Sequence, residues 1–230
     1  MASAVERTLG GLIVSCQPVV GGPMDRLDII IGFALAAEAG GAAGLRIEGV
    51  ANVRGVRAVT QLPIIGIVKR AEPDTPVIIT ARLEDVRALA DAGADIIAFD
   101  ATDRPRPIPV ADLAGAVRQV GRQVMADCAN LADAQAAAAL GIDVIGTTLS
   151  GYTGGPIPAR PDLDFVRHSA RLGRPVFAEG RYYTVEDVRA ARLAGADAVV
   201  VGSAITRPEH ITSWFAEAVR LPASADPLQG

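Results

Sequence analysis

The clearest chemical signal in this chain is a residue type used once. Lysine and arginine together number 22, and Lys69 is the only lysine. Arginine keeps its charge at any cellular pH, whereas a lysine withdrawn from water or crowded by cations gives up its proton. A chain that uses arginine for every other cation and retains one lysine points to Lys69 as a proton-transfer group, with a surface remnant as the plain alternative. Other chemistries are less well supplied. His168 and His210 fall in helical stretches, and neither Cys16 nor Cys128 has a histidine placed to act as its base. The two cysteines read better as small buried apolar residues. Neither the dinucleotide and phosphate-binding glycine loops nor a serine-hydrolase elbow occurs.

Composition narrows the setting. Half of the residues are hydrophobic and 21% are charged, the balance of an ordinary globular domain. A net charge of −4 gives no reason to expect nucleic acid as a partner. Two cysteines make no disulfide framework, and reduced thiols in a cytoplasmic protein are expected. No apolar signal core opens the chain. The most hydrophobic window, 29–45, is broken by Glu38 and several glycines, so no membrane span is expected.

The residues that could do chemistry need elements to hold them. Short β-branched runs at Gly11–Cys16, Ala43–Ile47, Pro63–Val68, Asp95–Phe99, Gln123–Ala126, Asp143–Thr147, Pro175–Ala178 and Asp197–Val201 read as strands. Ala-rich amphipathic stretches near 25–39, 50–60, 83–92, 109–120, 131–140, 162–172, 184–194 and 208–220 read as helices. A helix-to-strand join recurs around Gly40, Gly93, Gly141 and Gly195, about fifty residues apart, which is two β–α units per repeat. Glycine there supplies the left-handed turn that ends a helix. Eight strands, each followed by a helix, predict one (β/α)8 TIM barrel over 1–230 with a frayed tail at 221–230. An open doubly wound sheet is the competitor.

A barrel carries its chemistry at the C-terminal ends of its strands. Those ends offer Gln17, Arg46 with Glu48, Lys69 with Arg70, Asp100, Asp127, Thr147 with Thr148, Glu179-Gly180-Arg181, and Gly202-Ser203. Strands 3 and 7 are opposed in an eight-stranded barrel, so Lys69 and Glu179 face each other across the mouth. Such a pair suits removal of a proton from one face of a carbon and delivery to the other; an ion pair from Lys69 or Arg70 to Glu179, bracing the rim, is the alternative. Gly202-Ser203 before a helical turn, with Gly180-Arg181 beside it and Arg207 one turn on, reads as a phosphate cradle. Tyr152 either lines the pocket or packs its loop, and Asp127 is either a site group or a rim hydrogen-bonding residue. No histidine falls at the rim to hold a metal.

The segments IVSCQ (13–17), LPIIGIVKR (62–70), AGADIIAFDAT (92–102), VMADC (124–128), IGTTLSGYT (145–153), AEGR (178–181) and VVVGSAITRP (199–208) resemble the N-acetylmannosamine-6-phosphate 2-epimerase family, in order and at family spacing. The resemblance implies a (β/α)8 fold without metal or organic cofactor, a small phosphosugar as substrate, and interconversion of N-acetylmannosamine 6-phosphate with N-acetylglucosamine 6-phosphate. It implies that Lys69 and Glu179 are catalytic, that Gln17, Arg46, Asp127 and Arg207 surround the substrate, and that Gly180, Gly202 and Ser203 hold phosphate. A homodimer is a further expectation. The competing readings are another phosphosugar-barrel isomerase, a Schiff-base lysine synthase, and a phosphosugar-binding barrel that has lost catalysis.

Overall fold

The computed structural model describes residues 2–220; the tail expected to fray, 221–230, lies outside the described residues. Eight parallel strands close on themselves in sequence order, β8 pairing with β1. They are β1 Leu12–Cys16, β2 Gly44–Glu48, β3 Ile64–Ile67, β4 Ile96–Asp100, β5 Gln123–Asp127, β6 Val144–Gly146, β7 Val176–Glu179 and β8 Ala198–Val201. Helices α2 Leu27–Ala39, α3 Val50–Arg57, α4 Leu83–Ala92, α5 Val110–Gln119, α6 Leu131–Ala139, α7 Leu163–Ser169 and α8 Val185–Leu193 follow the first seven strands in turn. After β8 come a single turn, α9 Ser203–Thr206, and then α10 Pro208–Arg220. One element was not expected: α1, Ala4–Thr8, precedes β1.

Side chains alternate across each strand, and this barrel has two cores as a result. Ile64, Ile97, Phe99, Val124 and Val176 face outward under the helices, in one cluster. Ile13, Ile65, Ile67, Ile96, Met125 and Phe177 fill the interior, in another. Val5 of α1 joins the interior cluster, and its N–H donates to Gln123 Oε1 at 2.9 Å, so the short helix closes the bottom of the barrel. Its start is fixed by a reciprocal cap between Ser3 and Glu6.

The recurring join also has a purpose in the barrel floor. Asp95, Asp143 and Asp197 stand just before β4, β6 and β8, and each carboxylate accepts an N–H from the start of the strand before its own: Ile64 at 2.9 Å, Val124 at 2.8 Å and Val176 at 2.8 Å. Those N–H groups would otherwise end their strands unpaired. Gly93, Gly141 and Gly195 take positive φ as expected, but in the first repeat Gly41 does so and Gly40 does not. There the Gly40 N–H still bonds back to Ala36, so α2 runs on and its left-handed turn falls one residue later.

Helix α10 is exceptional. None of its residues is buried, and Phe215 and Val219 are 71% and 85% exposed although the helix is amphipathic. Tyr183 stacks on Trp214 at 4.7 Å between ring centroids, tying the helix to the β7–α8 loop. Among the described residues, no helix is long and apolar enough to cross a membrane.

Candidate active site

Continuing the inward alternation in steps of two brings each strand to its C-terminal end. The positions reached include Gln17, Glu48, Lys69, Thr148, Glu179 and Gly202. Period two alone therefore assembles the top layer of the barrel. Above it opens a cavity of about 390 Å³. Every residue expected in the site lines this cavity except Arg46 and Asp127.

Those two form the floor. Arg46 is 1% exposed and Asp127 fully buried, one layer below the cavity. The guanidinium grips the carboxylate with both ends of its fork, Nη1 to Oδ1 at 3.1 Å and Nη2 to Oδ2 at 2.6 Å. The same Nη1 lies 3.2 Å from Glu179 Oε2. Thr148 Oγ1 lies 2.6 Å from Asp127 Oδ1 and 3.3 Å from Glu179 Oε2, tying the two carboxylates together. Room for this cluster comes from Gly146, where a Cβ would stand 2.5 Å from Met125 Cε and 3.1 Å from Asp127 Oδ1. Asp127 thus reads as the holder of Arg46, and Arg46 as the holder of Glu179.

Glu179 accordingly pairs with Arg46 and not with Lys69 or Arg70, the ion pairs weighed above. Arg70 pairs with Asp85 at 2.6 Å. Burial raises the Glu179 carboxyl above its ordinary 4.5, Arg46 and Lys69 oppose the rise, and the charge of Asp127 adds to it. Lys69 stands exposed in the open cavity, its own N–H donating to Glu48 Oε1 at 3.2 Å. The protein around the mouth withholds solvent from its ammonium and holds its pKa below 10.5. Arg46 and Arg207 press the same way, while Glu179 and Glu48 oppose. The two opposed groups are therefore both displaced toward neutrality.

The glycine and arginine loops close the β7–β8 side. Gly180 has φ +113 and Arg181, unusually for a side-chain-bearing residue, φ +64. Gly202 packs against Ser15, where a Cβ would lie 3.3 Å from that of Ser15. Arg207 Nε donates to the carbonyl of Gln17 at 2.7 Å. Arg181 is buried, with Nε donating to the Arg160 carbonyl at 2.7 Å and Nη1 to that of Ser150. Much of its guanidinium thus anchors the β6–α7 loop, and Tyr152 of that loop lies under it, ring centroid 5.4 Å away. Neither Arg181 nor Arg207 enters an ion pair among the described residues. Arg104, across the cavity, pairs with buried Asp100, whose carboxylate it shares with Arg106.

Several participants were missed in the sequence. Ser15 lies 2.7 Å from Gln17 Nε2 and lines the cavity, and it sits two residues before Gln17, where strand period would have found it. Thr148 was noted at a strand end without a partner to give it a role. The apolar stretch after β3, residues 76–79, carried no signal beyond its one proline, Pro76. Cys16 and Cys128 are buried; burial pushes the Cys16 thiol up to about 12 and raises Cys128 too, consistent with inert packing residues. Among the described residues no three His, Cys, Asp or Glu side chains gather as a metal site needs.

Comparison with known proteins agrees with the geometry. The family model for NanE, N-acetylmannosamine-6-phosphate epimerase, matches residues 30–221. A Brucella melitensis protein named bifunctional enzyme NanE/NanK is 57% identical over 220 residues, 95% of this chain, which spans only 42% of that protein. A Yersinia pseudotuberculosis protein named for N-acetylmannosamine-6-phosphate 2-epimerase is 56% identical over 210 residues, 91% of this chain and 90% of its own length. The solved N-acetylmannosamine-6-phosphate 2-epimerase of Clostridium perfringens superposes with a TM-score of 0.91 at 38% identity, covering 94% of this chain and 96% of that one. A thiamine phosphate pyrophosphorylase from Pyrococcus furiosus, at 17% identity and a TM-score of 0.62, shares the fold. The barrel, its opposed Lys69 and Glu179, and these matches lead to one assignment: the chain belongs to the N-acetylmannosamine-6-phosphate epimerase family.

Proposed function

We propose that this chain interconverts N-acetylmannosamine 6-phosphate and N-acetylglucosamine 6-phosphate by moving the proton on C2. The observation that carries the reading is the opposed pair at one cavity: Lys69 held below its ordinary pKa, and Glu179 held above its own by burial and steadied by Arg46. In the open-chain sugar the C2 proton lies beside the C1 aldehyde, so its removal gives an enolate. Neutral Lys69 takes the proton from one face, and protonated Glu179 supplies one to the other, inverting C2. The aldehyde itself acidifies C2, so the chemistry calls for no cofactor.

The enolate oxygen needs a donor. Arg46 and Asp127 lie below the cavity, whereas Gln17 lines it. Its Oε1 is buried without a partner while Nε2 faces Ser15. A half-turn of the amide lets Ser15 donate to Oε1 and frees Nε2, which becomes a donor for the oxygen when the side chain swings toward the cavity it lines. The 6-phosphate belongs at Gly180, Gly202 and Ser203, with Arg207 and the backbone of Arg181 beside it. Tyr152, its ring beneath the Arg181 guanidinium, closes this side of the pocket.

A cytoplasmic setting accords with the two unpaired cysteines, Cys16 and Cys128. A homodimer accords with the uncovered apolar residues of α10, Phe215 and Val219. The test of function is incubation with N-acetylmannosamine 6-phosphate in D2O, followed by proton NMR at C2. Epimer formation with loss of the C2 proton signal is expected; neither epimer nor exchange would overturn the reading. Glu179→Gln then separates the mechanisms: with two bases it abolishes epimerisation yet still exchanges the epimer that Lys69 deprotonates. Brisk epimerisation by this variant would leave Glu179 a positioning role.

A further inference from the structure

We infer that Ile79, on the hairpin that follows β3, bears the N-acyl group of the substrate and sets which acyl groups are accepted. The inference rests on the reaction proposed above and concerns a part of the substrate that reading leaves unplaced. It starts from connectivity. The carbon whose proton Lys69 removes also carries the acylated nitrogen, so the acyl group must lie against whatever flanks Lys69.

Two surfaces flank it. On the β2 side stands Glu48, a carboxylate already accepting the Lys69 N–H. On the other side the chain turns back at residues 68–80, and Lys69 is bridged in antiparallel fashion to Ile79. Directly opposed residues of an antiparallel pair place their side chains on one face, about 4.5–5.5 Å apart at Cβ. Ile79 lines the cavity there together with Pro76 and Ile78. A terminal methyl group finds apolar surface on this side and a carboxylate on the other, so burial decides for Ile79.

Charge orients the rest of the molecule the same way. The phosphate is drawn to the β7–β8 side, where Gly180, Gly202, Ser203 and Arg207 line the cavity, while Arg104 on the other side is held by the Asp100 carboxylate that it shares with Arg106. The uncharged amide is left the opposite end. That wall is also stiff. Arg70 N–H donates to Ile78 O at 2.9 Å, Thr80 N–H to Val68 O at 2.8 Å, and Asp100 N–H to Ile79 O at 3.1 Å. Thr75 Oγ1 ties the hairpin tip to the Pro105 carbonyl at 2.7 Å. Ile79 itself is 3% exposed and packed in the interior cluster. A fixed wall discriminates by size where a loose one would yield.

The test is kcat/KM for the N-acetyl and N-propanoyl forms of mannosamine 6-phosphate. Wild type should favour N-acetyl, since one methylene against a packed wall is worth about tenfold or more. Ile79→Val removes one carbon from the wall and leaves the fold intact, and should shift the ratio toward N-propanoyl by about tenfold. Val200→Ala, which opens the same cavity from β8, should leave the ratio where it was. An Ile79→Val ratio within threefold of wild type, or an equal shift in Val200→Ala, overturns the acyl assignment. A wild-type protein that epimerises neither sugar refutes the proposed reaction instead, and is recognised by that.

Discussion

Arg46 serves two carboxylates with one fork, so replacing it with lysine separates geometry from charge. In Arg46→Lys the cation remains between Asp127 and Glu179, but one nitrogen stands where two stood. It can approach the site of Nη1, shared by Asp127 Oδ1 at 3.1 Å and Glu179 Oε2 at 3.2 Å, and must abandon the 2.6 Å contact of Nη2 with Asp127 Oδ2. A hydrogen bond to a charged group contributes about 1.5–3 kcal/mol net. Losing one outright and weakening a second should cost about 2–4 kcal/mol, which a domain stable by about 5–15 kcal/mol survives. The effect on rate should be larger. Glu179 loses the contact that fixes its carboxylate, and a displacement near 1 Å at a reacting group costs about 10²-fold. Since the positive charge that depresses Lys69 persists, the pH at which the rate rises should not move. Arg46→Met is the counterpart. With the charge gone, Lys69 should return toward 10.5, Glu179 should rise further above 4.5, and the rising limb of the pH–rate profile should shift to higher pH. Urea denaturation and kcat/KM across pH for both variants test this. An Arg46→Lys enzyme within threefold of wild type, or an Arg46→Met profile with an unmoved limb, would refute the account.

Lys69→Arg keeps the charge but cannot accept a proton, and should lose at least about 10²–10⁴-fold in kcat. As the only lysine, Lys69 after reductive ¹³C-methylation gives a single side-chain amine signal, which should titrate below 10.5. Between that folded pKa and 10.5 the unfolded chain binds more protons, so stability should rise with pH across this window, and Lys69→Met should flatten the slope in denaturation midpoints. Arg207→Ala should raise KM for the sugar phosphate and leave the poor turnover of unphosphorylated N-acetylmannosamine unchanged; equal losses on both sugars would remove the phosphate from Arg207. Arg181→Ala frees the carbonyls of Ser150 and Arg160, and should expose the β6–α7 loop to limited proteolysis before any other segment.

What was legible in the sequence is what period and punctuation encode. Alternation by two fixed both cores and, carried past the strand ends, most of the cavity lining. The joins that run from Gly to Asp marked strand starts because the aspartates bond the neighbouring strand, a purpose visible only once the strands are paired. Depth was not legible. Arg46 and Asp127 were expected around the substrate, yet the register of β2 with β3 sets Arg46 beside Ile65, two inward positions below Lys69. Only the closed barrel reveals that depth. Arg181 was read as a phosphate ligand from its neighbour Gly180, but its guanidinium reaches Ser150 and Arg160 across a loop that no local pattern predicts. Helix α1, at five residues, is too short to display a period, although the Ser3–Glu6 cap was there to be read.

The near-absence of lysine now has a physical reading. Fixed charges in this barrel must serve several acceptors at once. Arg57 reaches Asp95 and two backbone carbonyls, Arg46 two carboxylates, and Arg106 both the carboxylate and the carbonyl of Asp100. A rigid fork that never deprotonates suits that work. Proton exchange across a carbon demands the reverse: two groups able to stand in either state at the same pH. The surrounding protein works on both members in the needed direction: it withholds solvent from Lys69 at the mouth, which lowers that group, and buries Glu179, which raises the other. Arg46 alone would help the lysine and hinder the carboxyl, because its charge lowers both. Asp127, buried against it, offsets part of that charge at Glu179, which is where its own negative charge adds to the rise. The Arg46–Asp127 pair therefore fixes the position of Glu179 without forcing it to stay ionised, and a single lysine suffices because only one cation in the chain has a proton to lose.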